Sequence, residues 1–215
     1  MIAIIDYEAG NVRSVQKAFE FIGADVVLTD DPEKILSADG VVLPGVGAYR
    51  DCMDSLDRKA LQGVARQAVL SGHPFLGICL GFQMLFDSSE EHADATGADV
   101  PGLGLFRGRV RQLLPGNGRK VPHMGWNALE MTDCGGAGRS PLFDGLDEDT
   151  FVYFVHSFYV EAADASIVSA RSTYGSAFDV ALSAGNVFGT QFHPEKSGEA
   201  GLAMLRNFMK VVRSA

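Results

Sequence analysis

Over the first hundred positions, short apolar runs alternate with stretches in which apolar residues recur every three or four places. Residues 2–5, Ile-Ala-Ile-Ile, predict a strand, and Val12, Val15, Phe19 and Ile22 then fall at helical spacing with Gly23 as the stop. A second strand is predicted over 25–28. Asp31-Pro32 follows as a helix cap with proline at the first helical position. Val41, Val42 and Leu43 predict a third strand, ended by Pro44-Gly45-Val46-Gly47. Leu61, Val64, Ala65, Ala68 and Val69 mark a helix closed by Gly72, a fourth strand is predicted over 75–78, and residues 83–86 continue a helix after it. Such alternation is the signature of an α/β protein with a doubly wound, mostly parallel sheet.

Beyond residue 105 the pattern changes to strands over 109–114, 127–131, 151–155, 167–170 and 187–191, joined by polar or glycine-rich turns. That predicts a more antiparallel C-terminal β part, with a flexible loop over 134–138 and a closing helix over 199–212. No linker, repeat or low-complexity tract interrupts the chain, so residues 1–215 are expected to form a single domain.

Composition narrows the function classes. Apolar residues make up 47% and charged residues 21%, the balance of a soluble globular protein. The longest apolar runs are far below the roughly 20 residues of a membrane span. Asp6 breaks the first run, which has no basic leader, so no signal peptide is expected. The formal charge of −9 argues against nucleic-acid binding. Cys52, Cys79 and Cys134 form neither a disulfide framework nor a zinc-binding pair; no metal is expected, and the reduced cytoplasm is the natural compartment.

Candidate chemistry gathers at two places. Gly77-Ile78-Cys79-Leu80-Gly81, between a strand and a helix, has the form of a nucleophile elbow: a sharp strained turn that lifts the side chain above the sheet and needs small neighbours two residues away. A following helix would present N–H groups and a positive dipole end to a thiolate. The alternative for the segment alone is a small buried cysteine in a glycine-flanked turn. His193, after a predicted strand, is followed by Pro194-Glu195, so Glu195 can orient its ring while Pro194 stiffens the turn. The bland alternative is a surface histidine with a solvated glutamate; His73 and His92 are weaker candidates for a base. An oxyanion would need N–H groups from Leu80 and from the Gly45-Val46-Gly47 loop, where glycine permits unusual backbone angles. The loop lacks the third glycine of a dinucleotide fingerprint.

Gly77-Ile78-Cys79-Leu80-Gly81-Phe82-Gln83, together with Phe192-His193-Pro194-Glu195, resembles the class I (triad) glutamine amidotransferases, whose fold is flavodoxin-like. Asp6-Tyr7 through Gly10-Asn11 with Arg13-Ser14-Val15, the segment Val121-Pro122-His123-Met124-Gly125-Trp126-Asn127, and Tyr153-Phe154-Val155-His156-Ser157 narrow it. They resemble the glutaminase subunits of imidazole glycerol phosphate synthase. The resemblance runs from Ile2 to about Arg206. It implies that Cys79 attacks glutamine, His193 moves protons and Glu195 orients His193, with no cofactor. It implies a glutamine site at Gly47, Gln83, Glu91, His156, Ser157 and Phe158. It also implies a partner face at or near Asn11, His123, Trp126, Tyr153 and Lys196. The partner is expected to be a (β/α)8-barrel synthase that uses the ammonia to make imidazole glycerol phosphate and an aminoimidazole carboxamide ribotide. Glu8-Ala9, Phe158 in place of tyrosine, and Ser197-Gly198 depart from that pattern. The alternatives are the same chemistry serving anthranilate or guanylate synthesis, and a binding module of this fold without catalysis. Without the resemblance, Trp126 reads as either buried or interface, Tyr153 and Phe154 as a core strand, and Lys196 as a solvated lysine.

Overall fold

Strand β1 (Ile2–Ile5) is an interior strand of the sheet, one place in from an edge, with every residue buried. Its side chains alternate between two cores, Ala3 and Ile5 on one face and Ile2 and Ile4 on the other. Burial on both faces explains the uninterrupted apolar run of this interior parallel strand. The computed structural model describes residues 1–8, 11–91, 97–116, 120–136 and 138–215. Ala9, Gly10, His92, and Ala137 of the 134–138 loop lie outside the described residues.

The first half winds as expected: α1 (Val12–Phe21), β2 (Val26–Thr29), α2 (Pro32–Leu36), β3 (Gly40–Gly45), α3 (Tyr49–Arg58), α4 (Gln62–Leu70), β4 (Phe75–Cys79) and the one-turn α5 (Leu80–Gln83). Asp31 caps α2 by accepting from Glu33 N at 3.0 Å. Helix α3 was not foreseen, although Cys52, Met53 and Leu56 form its buried stripe. The predicted helical continuation to residue 86 is corrected: the helix stops at Gln83, and Phe86 opens strand β5 (Phe86–Ser89). The carbonyls of Met84, Leu85 and Phe86 instead accept from Leu103, Leu105 and Gly104, which draws the chain into an extended path.

The remaining strands are β6 (Val100–Pro101), β7 (Phe106–Gln112), β8 (His123–Ala128), β9 (Glu130–Met131), β10 (Phe151–His156), β11 (Phe158–Ala162), β12 (Val168–Thr173), β13 (Ala177–Ala184) and β14 (Val187–Thr190), before the closing helix α6 (Gly198–Ser214). Strands β11 and β13 were missed by the sequence reading. The main sheet runs β2-β1-β3-β4-β14-β13-β11-β7-β5-β6, with β12 joined to β13 and β9. Neighbours from β2 to β14 are parallel, whereas the β14–β13, β13–β11 and β11–β7 pairs are antiparallel. Helices α2, α3 and α4 cover one face through Ile35, Leu56 and Ala65; α1 and α6 cover the other through Phe19, Met204 and Phe208.

Strands β8 and β10 form a separate antiparallel ribbon. Val152, Phe154, His123 and His156 are buried beneath it, while Met124, Trp126 and Phe151 stand outward at 61%, 55% and 54% exposure. The carboxyl ends of β3, β4 and β14 lie side by side, Gly45 opposite Cys79 and Thr190 opposite Ile78. Open α/β sheets bind ligands at that edge.

Candidate active site

Cys79 ends β4 with φ 55° and ψ −109°, a left-handed conformation that L side chains rarely adopt. The flanking glycines are dictated by space. A Cβ on Gly77 would lie 2.7 Å from the Gly81 carbonyl oxygen, and one on Gly81 only 1.7 Å from that of Leu43. The elbow read from sequence is therefore built as such, although the helix behind it is a single turn, so any dipole effect on the sulfur is small.

His193 leaves β14 into a short 3-10 turn over Pro194–Lys196. Its Nδ1 lies 2.8 Å from Glu195 Oε1, and the two side chains are 2% and 1% exposed. Ser197 Oγ donates to the His193 carbonyl at 2.7 Å and accepts from Tyr153 N at 3.0 Å, while His193 N donates to the Tyr153 carbonyl at 3.0 Å. Those bonds tie the turn to β10. Burial opposes a charged imidazole, but the Cys79 sulfur and the Glu195 carboxylate outweigh it and raise His193 to about 10. Nε2 makes no hydrogen bond of standard geometry to another described group. The arrangement is a buried thiol, a base able to hold its proton, and a carboxylate orienting that base.

Val46 and Leu80 line the cavity above Cys79. Gly45 is packed against Leu80 Cβ and the Tyr7 hydroxyl, and Gly47 has φ +105°. Tyr7 Oη donates to the Pro44 carbonyl at 2.7 Å, and Cys52 Sγ lies 3.6 Å from the Val46 carbonyl. The loop is thus braced from beneath by two side chains that the sequence reading gave no role.

The cavity, about 440 Å³, brings together Asn11, Val46, Gly47, Cys79, Leu80 and Gln83 from the first half of the chain with His156, Ser157, Phe158, His193 and Lys196 from the second. Glu91 also lines it, and its carboxylate accepts from Tyr49 N at 3.0 Å at the start of α3. Pro122 and Val155 line it without having been predicted. One carbonyl organises the polar wall. Phe158 O accepts from His156 Nδ1 at 2.8 Å and from Gln83 Nε2 at 3.0 Å. The backbone does this work, so the phenylalanine that replaces an expected tyrosine leaves it intact. The second hydrogen of Gln83 Nε2 goes to Gln191 Oε1 at 2.8 Å, and Gln83 Oε1 is buried with no hydrogen-bond partner among the described residues.

Among the expected partner-face residues, Trp126 and Lys196 are exposed, Asn11 and Tyr153 half-buried, and Trp126 packs edge-on against Tyr153. His123 is different. It is 3% exposed, stacked between Phe154 and Tyr174, so it cannot present itself directly to another chain. Its Nδ1 meets His156 Nε2 at 2.9 Å. Since His156 Nδ1 donates to a carbonyl, Nε2 must accept, and the His123 tautomer follows. Burial lowers His123 to about 4 and His156 to about 3, keeping both neutral.

A strained cysteine at the carboxyl edge of an α/β sheet thus stands beside a buried His-Glu pair, the arrangement that triad chemistry requires. The family model described as "Glutamine amidotransferase class-I" matches residues 3–212, and the chain belongs to that family. Within it, three similar curated proteins each carry the name imidazole glycerol phosphate synthase subunit HisH. That of Bacillus cereus is 47% identical, with 100% of this chain and 96% of the relative covered. That of Syntrophotalea carbinolica is 49% identical over 97% and 98%, and that of Methanothermobacter thermautotrophicus 48% over 100% of each. More distant structures share the fold: one titled a glutamine amidotransferase has TM-score 0.73 at 19% identity, covering 99% of this chain and 100% of its own. PurLQS from Thermotoga maritima has TM-score 0.71 at 21% identity, covering 97% of each.

Proposed function

We propose that Cys79, His193 and Glu195 hydrolyse glutamine to glutamate and ammonia, and that the ammonia passes to a (β/α)8-barrel synthase docked on the β8–β10 ribbon. The observation that carries the chemistry is the strained Cys79 beside a buried imidazole raised to about 10 by its sulfur and by Glu195. A histidine of that kind carries the thiol proton as an imidazolium. The thiolate attacks the carboxamide carbon, and the oxygen gains negative charge against the N–H groups of Leu80 and Val46. The imidazolium then protonates the departing amine, releasing ammonia and leaving a glutamyl thioester. His193 next takes a proton from water, the hydroxide adds to the thioester, and the sulfur leaves as the thiolate. Gln83, Glu91 and the Ser157-Phe158 segment hold the glutamine.

Continuity between the cavity and the ribbon supports the partner reading. Val155 lines the cavity and lies on the same outward row as Met124, Trp126, Phe151 and Tyr153. An exposed aromatic stripe beside an active-site mouth suits a protein interface. With the relatives' shared name, it favours imidazole glycerol phosphate and aminoimidazole carboxamide ribotide as the synthase's products over anthranilate or guanylate synthesis.

Ammonia release from glutamine is the direct test, measured with and without the barrel synthase and its nucleotide ligand. The expected result is activity in the loaded complex that Cys79→Ala abolishes. Ammonia release undiminished in Cys79→Ala would remove the nucleophile. Binding to the synthase without turnover under any condition would favour a non-catalytic module.

A further inference from the structure

Gln191 is wholly buried, two residues before His193, and the triad chemistry leaves it without a task. Its amide orientation follows from neighbours that have no freedom. The Phe158 carbonyl can only accept, so the group that reaches it at 3.0 Å must be Gln83 Nε2. The same nitrogen lies 2.8 Å from the Gln191 side chain, which must offer its oxygen there. Gln191 Nε2 is therefore turned the other way, 3.7 Å from Cys79 Sγ, a normal length for an N–H donor to sulfur. The main chain is fixed as well, with Gln191 N donating to the Val180 carbonyl at 2.8 Å.

We propose that Gln191 is a second donor to the nucleophile besides His193: its Nε2–H holds the Cys79 sulfur in place and supports its negative charge before attack and when the thioester breaks. This rests on Cys79 being the nucleophile. A neutral donor suits the task because it withdraws no proton from the His193–Cys79 pair and stays a donor at every pH where the enzyme works. A donor to a charged sulfur is stronger than one to a neutral group, so its effect falls on steps that create or release thiolate and not on glutamine binding.

The test is Gln191→Met, of equal length and without a donor. It is assayed for glutaminase activity in the loaded complex and, in the isolated chain, for the rate of iodoacetamide alkylation located at Cys79 by peptide mass. Gln191→Asn, which draws the donor back by about 1.5 Å, takes its place if thermal melting shows that the methionine variant does not fold. The expected result is a kcat lower by about ten-fold or more, a glutamine KM within about two-fold, and alkylation slowed by a similar factor. Unchanged kcat and alkylation would overturn the inference. So would a raised KM with kcat retained, which would make Gln191 a support for Gln83 alone. A parallel Cys79→Ala control that still releases ammonia would remove the nucleophile, and the inference with it; a dead control beside an unaffected Gln191→Met removes the inference only.

Discussion

At the scale of single residues, the site is a set of local geometric demands. Glu195 holds His193 from a position where neither side chain meets solvent, and its charge is one cause of the raised imidazole. Glu195→Gln keeps an oxygen that can accept from Nδ1 but removes the charge. The expected result is a kcat lower by about ten-fold or more. The high-pH limb of kcat should also move to lower pH, because the imidazolium that protonates the leaving amine loses its proton earlier. A pH–rate profile of the variant complex checks both; a profile superimposable on the parent would show that the carboxylate only positions the ring. These demands were legible in the sequence where they act over a few positions. Gly77 and Gly81 are required by atoms of the elbow and of the Leu43 carbonyl beside it. Glu195 lies two residues from the ring it orients. Gln191 was passed over as the last residue of a predicted strand, because its partners are 108 and 112 positions away and no local pattern announces them.

At the scale of elements, the β8–β10 ribbon carries two histidines on its inner face, and their neutrality is a condition of its packing. Both folded values, about 4 and about 3, lie below the ordinary histidine value, so the folded chain binds fewer protons than the unfolded one. Stability from that difference is fully present above about pH 6.5. It is lost as pH falls through the unfolded value toward the folded ones. Urea midpoints at neutral pH and near pH 4.5 should therefore fall more for the parent than for His123→Phe, which keeps a ring between Phe154 and Tyr174 and has no proton to bind; equal falls would count against the assignment. The elements that escaped the sequence reading did so for different reasons. Helix α3 follows a glycine-rich loop and carries many charges around a narrow apolar stripe. Strands β11 and β13 hold strand-prone residues, Phe158, Tyr159 and Val160 in one and Phe178 and Val180 in the other, but β11 follows β10 after the single residue Ser157 and β13 is diluted by alanines.

At the scale of the whole molecule, a cavity at the sheet edge opens beside an apolar ribbon on a chain of net charge −9. Trp126 is its largest exposed side chain, and aromatic anchors dominate most interfaces. Trp126→Ala should weaken binding to the barrel synthase by about ten-fold or more, read as a raised Kd in calorimetry. Glutamine turnover per assembled complex should remain close to the parent. An unaltered Kd would move the docking surface elsewhere. The same ribbon has a bearing on how much of this chain a cell can keep. Met124, Trp126 and Phe151 form a face that water tolerates poorly. On the proposed docking, copies made in excess of the synthase would keep that face bare and be drawn to one another, to chaperones and to proteases, so that the supply of one chain would set the useful dose of the other.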